Sequence, residues 1–175
     1  MIASHQYQNL SRQAVHQLTA HARLSARMIA VALLDLNGLN PAEAASARAW
    51  FENDDEGGAS FNTCCAGIVN VQRYLAHMDT VPTPLSIGTM HLDAGQAQDP
   101  ESFKKGVRTL AATDDVSPLA GRWRHQAAEQ LDVCIDYQCS TIHALSSHHS
   151  ARALTFDQAR EYGIETLGSS SRLSI

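Results

Sequence analysis

The sequence predicts an all-α protein, a single-domain helical bundle of about five to six helices in which the first and the fifth are long. Two segments, 10–36 and 118–147, keep a helical period of apolar residues along their whole length. Proline follows a short polar residue at three places, which is a common start of a helix. Strand signals are nearly absent, since only 85–92 alternates weakly, within what we expect to be a long loop.

The predicted first helix, 10–36, has two distinct sides. At about 100° per residue, its apolar side chains share one broad side that we expect to face the core. These side chains are Leu10, Ala14, Leu18, Ala22, Ile29, Ala32 and Leu36. The opposite side carries a basic stripe made of His5, Arg12, His16, Arg23 and Arg27.

The next three helices are predicted mainly from their ends. Pro41 follows Asn40 and Pro100 follows Asp99, so a capping side chain precedes a residue whose missing N–H would be unpaired in any case. The predicted spans are 41–52 for the second helix, 62–78 for the third and 100–112 for the fourth, with an exposed acidic loop at 53–60.

The predicted fifth helix, 118–147, also has an apolar face and a narrow polar stripe opposite to it. The apolar face consists of Trp123, Ala127, Leu131, Cys134, Ile135, Ile142 and Leu145. The stripe consists of Glu129, Asp132, Asp136, Cys139 and His143. A short sixth helix, 156–167, follows, so we expect one helical domain over 1–175 that ends in a short C-terminal helix and tail, 155–175.

Composition and cysteine usage predict the class of protein and its compartment. The 175 residues include 44% apolar and 18% charged residues, which is typical of a globular chain. The four cysteines form one adjacent pair and one pair five residues apart, unlike a secreted disulfide scaffold, so we expect reduced thiols and a cytoplasmic location. The best apolar run, 28–36, is far shorter than the roughly 20 residues of a membrane span, so no membrane partner is expected.

Charge is arranged in blocks of alternating sign along the chain. Residues 1–34 carry three arginines and no acid, whereas 127–149 carry three acids and neither lysine nor arginine. Residues 35–60 are mainly acidic, and 100–126 are mainly basic. Such blocks indicate either that helices pair electrostatically inside the fold or that separate faces meet separate partners.

The polar stripe of the fifth helix is a candidate metal site. Asp136, Cys139 and His143 stand at i, i+3 and i+7, with Asp132 one turn earlier, so four ligand-bearing side chains share one side of a helix. A divalent metal is the one cofactor that this pattern would hold. The alternative is a solvated helix face, because a single helix rarely supplies every ligand.

The adjacent pair Cys64 and Cys65 near the start of the third helix is a weaker candidate for chemistry. Amides at a helix N-terminus lower a thiol pKa, and His77 is a candidate base. The flanking sequence matches no nucleophile signature, so we expect small buried side chains instead.

Three charged groups are candidate partner-binding surfaces. The basic stripe of the first helix and the pair formed by Arg122 and Arg124 would meet acidic groups, and the acidic loop would meet basic ones. Pairing of the basic stripe with the acids of the fifth helix would leave no surface for a ligand. The residues concerned are Arg12, His16, Arg23, Arg27, Asp54, Asp55, Glu56, Arg122 and Arg124.

Nucleic acid is disfavoured as a partner by a net charge of −5 and a pI near 5.9. The segment 155–164 resembles the start of a helix-turn-helix unit, which would imply a small DNA-binding regulator. The resemblance fades where a recognition helix should follow, because 168–171 offers no apolar anchor.

These observations favour a non-enzymatic interaction protein, an adaptor, regulator or inhibitor that docks on another protein or a nucleoprotein complex through charged helix faces. The alternatives are a metal-binding protein or metal-dependent enzyme using the fifth-helix stripe, and a DNA-binding regulator. A homodimer is also expected, from an exposed apolar patch made of Trp50, Phe51, Leu167, Leu173 and Ile175.

Overall fold

A computed structural model describes the backbone of residues 2–77, 85–87, 90–92, 100–113 and 118–146, and the side chains within 13–75, 101–113 and 119–144. The described residues form an all-α helical bundle, as the sequence predicts, with long first and fifth helices of 35 and 29 residues. The predicted sixth helix, 156–167, lies outside the described residues. The elements are α1 (Ile2–Leu36), α2 (Pro41–Glu52), α3 (Phe61–His77), β1 (Leu85–Ile87), β2 (Met90–Leu92), α4 (Pro100–Ala112) and α5 (Pro118–Ser146).

The helix boundaries agree with the predicted ones to within a residue, except at the start of α1. That helix begins at Ile2 rather than near residue 10, because 2–9 contains neither proline nor glycine to stop it. The cap of α2 is the predicted one: the Asn40 side-chain oxygen accepts a hydrogen bond of 3.1 Å from the Ala42 amide.

The expected long loop at 85–92 contains a short β-hairpin. Strands β1 and β2 pair antiparallel, with Leu85 opposite Leu92 and Ile87 opposite Met90, and β1 lies against α5. Each strand has only three residues, which explains why the pattern is weak.

Helix α1 is the centre of the bundle, since it packs against α5, α3 and α2. Its predicted core side is confirmed, because all six apolar residues with described side chains are buried. The predicted apolar face of α5 is confirmed in the same way, with Trp123 and Cys134 partly buried at its edge. The fully buried members of that face are Ala127, Leu131, Ile135 and Ile142.

Burial extends further round α1 than one stripe, because α3 and α5 pack on different sides of it. Two polar residues, Thr19 and Ser25, are buried along with the apolar ones. Gly67 of α3 stands where a Cβ atom would come within 2.8 Å of Ser25 Oγ and 2.9 Å of the His21 ring. A glycine at this position therefore allows the two helices to approach closely.

The expected exposed apolar patch is wrong for the two of its members that are described. Phe51 is buried, and Trp50 packs edge-on against both Phe51 and Phe61, with ring centroids 5.2 and 5.4 Å away. The indole N–H of Trp50 donates to the Ala59 carbonyl at 2.9 Å. These rings hold the α2–α3 connection closed instead of facing a second molecule. The other members, in 167–175, lie outside the described residues.

Arg124 joins the ends of three helices from inside the protein. Its side chain is 2% exposed, and its guanidinium donates to the carbonyls of Leu110, Ala111 and Thr113 at the end of α4. It also donates to the Asn37 side chain after α1. These carbonyls have no partner within their own helix, so the buried cation satisfies acceptors that would otherwise lie unpaired.

We expect Arg124→Met to lower the free energy of unfolding by about 3 kcal/mol, because buried carbonyls lose their donor. Arg122, two residues earlier on the same helix, is exposed, and Arg122→Met should change stability by less than about 0.5 kcal/mol. Urea unfolding followed by circular dichroism measures both. Equal effects of the two substitutions would contradict the role given to Arg124.

Candidate functional site

The two long helices pack antiparallel in a fixed register, and this contact places most of the predicted site residues. Side-chain bonds join α1, or the residue directly after it, to α5 at four heights along the pair. From one end to the other they are Asn37 Nδ2 to the Gly121 carbonyl (2.7 Å), Arg27 to Asp132 (2.8 Å), Arg23 to Asp136 (3.1 Å) and Thr19 Oγ1 to His143 Nε2 (2.9 Å).

The basic stripe of α1 and the acidic stripe of α5 therefore meet each other. The sequence left internal pairing open as an alternative, and Arg23 and Arg27 adopt it. Both pairs are exposed, with the Arg23 and Asp136 side chains 41% and 69% accessible, so each contributes well under about 1 kcal/mol. Their main effect is to neutralise a surface that the sequence alone shows as strongly charged. The Arg12 side chain lies outside the described residues.

The four predicted metal ligands do not converge in the structure. Asp132 and Asp136 bind arginines, and His143 bonds to Thr19. Cys139 is fully buried and donates its S–H to the Thr19 carbonyl at 3.6 Å, because this part of the stripe faces α1 rather than solvent. Among the described side chains, no group of three or more His, Cys, Asp or Glu residues is arranged to hold a metal ion.

His143 sits in a cationic environment at the contact between α1 and α5. Its ring lies edge-on to His16, with centroids 6.0 Å apart. Partial burial, with smaller contributions from the positive charges of Arg23 and His16, lowers the pKa of His143 below its usual value. Burial also lowers the pKa of His21, which lies on the side of α1 that faces α3. Both imidazoles are therefore neutral at physiological pH.

The acidic loop is engaged by α4 rather than left free. Asp54 accepts hydrogen bonds from Arg108 at 2.8 Å and forms an ion pair with Lys104 at 3.3 Å, and these partners lower the pKa of its carboxyl. Asp55 bonds to the Asn53 side chain and keeps the turn closed. A cleft of about 410 Å³ lies here, lined by Asp54, Glu56, Asn62, Cys65, Glu101 and Lys104.

Sequence reasoning missed Arg108, which binds the α2–α3 connection at Phe51, Asn53 and Asp54. Its guanidinium donates to the Phe51 carbonyl at 2.6 Å and lies over the Phe61 ring, 5.5 Å from the centroid. The charge blocks contained a signal for this contact, since the basic segment 100–126 meets the acidic segment 35–60. The blocks do not say which side chain reaches which carbonyl.

The cysteine thiols are held in the neutral form. Cys64 and Cys65 are both buried, and burial raises the pKa of each. Burial likewise raises the pKa of Cys139 to about 11. The Cys64 amide donates to the Ser60 carbonyl. It is therefore not available to stabilise a thiolate, as the hypothesis of a reactive cysteine pair at the start of the helix required.

The predicted pair of cations at Arg122 and Arg124 is corrected by the structure. Only Arg122 is exposed, whereas Arg124 is buried against the end of α4 and cannot reach a partner. The two side chains point to different sides because residues two apart on a helix are separated by about 200°. His16 is exposed, as the prediction of a surface site requires.

A surface that the sequence did not single out lies over the α1–α5 contact. Leu24 and Val31 of α1 project outward beside Arg23 and Arg27. Leu34, further along the helix, lies on the same side as these two arginines. Val133 and Tyr137 of α5 project outward beside the two aspartates. Large apolar side chains thus flank a neutralised row of ion pairs. We call this surface the outer face, and it consists of Leu24, Val31, Leu34, Val133, Tyr137, Arg23, Arg27, Asp132 and Asp136.

In the described part of the chain, no helix is both long enough and apolar enough to cross a membrane. Comparisons of the chain with protein-family models, with curated proteins and with solved structures each return no match.

We expect the free energy of unfolding to fall as the pH is lowered below about 6.5. The pKa values of His143 and His21 are lowered by folding, so the unfolded chain takes up protons first and acid favours it. His143→Gln should reduce the decline between about pH 7.5 and 5, measured by urea unfolding. His125→Gln, at an exposed site on the same helix, is the control, and an equal reduction there would contradict the assignment to His143.

We expect native protein to react with a water-soluble disulfide reagent mainly at Cys134, the one thiol that is not fully buried. All four cysteines should react after unfolding in guanidinium. Spectrophotometric thiol counting measures both, and Cys134→Ser should remove most of the native reaction. Rapid native labelling of Cys64 or Cys65 would contradict the buried, protonated state described above.

Proposed function

We propose that this chain is a non-enzymatic interaction protein that binds another protein through the outer face. The observation that carries the proposal is the exposure of its five apolar side chains, which ranges from 40% to 69% on two helices packed side by side. Apolar groups gathered on one rigid surface are typical of protein-binding sites.

The composition of the outer face fits this role. Tyrosine and arginine are enriched where proteins bind each other, and an aromatic ring supplies a large contact at low cost in entropy. Tyr137 and Arg23 stand on neighbouring helices of the face, and α1 and α5 hold them in a fixed register. A partner would therefore meet a surface that needs little rearrangement before binding.

The state of the polar groups supports binding rather than chemistry as the role. The predicted candidates for chemistry are a stripe whose acids are paired with arginines and thiols whose pKa values are raised by burial. A nucleophile or metal ligand is more effective when it is exposed and readily deprotonated. Adaptor, regulator and inhibitor roles all need only a surface of this kind.

The charges of the outer face set the character of the binding. Arginines and aspartates already neutralise each other within the chain, so a partner gains mainly from covering the apolar side chains. We therefore propose contact driven by apolar burial, in place of the charge-driven docking expected from the sequence.

Site-specific photo-crosslinking in cells tests the proposal. A benzophenone amino acid at Val133 or Tyr137 should yield crosslinked protein adducts, because these side chains would lie inside the interface. The same probe at Ala45, exposed on α2, is the matched control and should yield few. Absence of adducts at both α5 positions, or equal yields at Ala45, would overturn the proposal.

A further inference from the structure

We propose that the outer face binds a second copy of this chain, so that the protein is a two-fold homodimer joined through α1 and α5. This inference rests on the proposed function, since it names the occupant of the same face. The dimer expected from Trp50 and Phe51 is a different one, because those rings are packed inside the protein.

The charges of the outer face are complementary to those of a copy of itself. The α1 side carries Arg23 and Arg27, and the α5 side carries Asp132 and Asp136 at matching heights. A two-fold axis that runs along the groove between the helices leaves heights unchanged and exchanges the sides. It places α1 of one copy opposite α5 of the other, so that each row of arginines faces a row of aspartates.

The apolar side chains match under the same operation. In the α1–α5 register, Leu24 stands at a height between Val133 and Tyr137, because its neighbour Arg23 is level with Asp136 and Arg27 with Asp132. The two-fold axis therefore brings Leu24 of one copy between Val133 and Tyr137 of the other. The tyrosine ring is the large anchor that such a contact needs.

The directions of the helices also agree with this arrangement. Since α1 and α5 are antiparallel within one copy, α1 is antiparallel to the α5 that it faces in the other. The result is a four-helix bundle, with two helices from each copy, in which neighbouring helices have opposed dipoles. Placing α1 on α1 instead would set arginines against arginines, so the charge pattern selects the α1-on-α5 arrangement.

Analytical ultracentrifugation of the full chain from low micromolar to submillimolar concentration tests the dimer. We expect a species of twice the 19.0 kDa chain mass. Leu24→Glu should raise the dissociation constant by at least about tenfold, because it buries a carboxylate among apolar groups. Leu39→Glu is the matched control, since Leu39 is fully exposed away from the outer face, and it should dimerise like the wild type.

A second measurement tests the arrangement of the helices. Leu24→Cys and Tyr137→Cys are made separately in a Cys134→Ser chain, which lacks the one native thiol that is not fully buried, and are oxidised alone or as a mixture. The mixture should form a disulfide-linked dimer faster than either variant alone, because the two positions meet only across copies. Both replaced side chains are exposed, so folding should be retained, as circular dichroism checks. Faster linkage of Leu24→Cys with itself would overturn the arrangement.

The outcomes separate this inference from the proposed function. Wild-type protein that stays monomeric at submillimolar concentration, or a dimer that Leu24→Glu leaves unchanged, would overturn the homodimer. The proposed function would still stand if Val133 and Tyr137 crosslinked to a different protein in cells. A monomer that also gives no crosslink at these positions would remove both.

Discussion

The fixed antiparallel register of α1 and α5 is the constraint on which the rest of the described structure depends. Bonds at four heights, from Asn37 at one end to Thr19 at the other, allow only one alignment of the two helices. A shift by one turn in one direction would place Arg27 beside Ala128, and in the other direction it would place Arg23 beside Ser140, so either shift leaves one arginine without its aspartate. The register also decides which side chains form the outer face, so the candidate site follows directly from the packing of the bundle.

Two arginines join α4 to its neighbours, Arg124 from α5 and Arg108 from α4 itself, and both do so through backbone carbonyls. Arg124 satisfies the end of α4, and Arg108 satisfies the end of α2 and covers the Phe61 ring. The planar guanidinium is suited to this use because it offers five donors and remains charged even where burial lowers its pKa, as it does for Arg124. Connections between helices are thus held by specific cations in addition to apolar contact.

The sequence predicted the helices well because their signals are local. Prolines mark three starts, and the spacing of Leu18, Ala22 and Ile29 gives the buried side of α1 without knowledge of its neighbours. The surfaces were predicted less well, because exposure depends on which helices meet. Charge blocks indicated that oppositely charged segments pair, but they could not place Cys139 against Thr19 or Arg124 inside the fold. The outer face was missed for the same reason, since Leu24 and Val133 lie outside the predicted apolar faces of their helices and carry no periodic signal of their own.

The internal pairing of Arg23 and Arg27 has a consequence for how fast a partner can arrive. Long-range attraction between opposite charges is what raises association rates far above the ordinary range of about 10⁵–10⁶ M⁻¹s⁻¹. A surface whose charges already cancel within one molecule exerts little such attraction at long range, toward a second copy as toward any other protein. Encounters at this surface are governed by diffusion and local abundance, so a neighbour held nearby for other reasons has an advantage over one that must find the surface from solution.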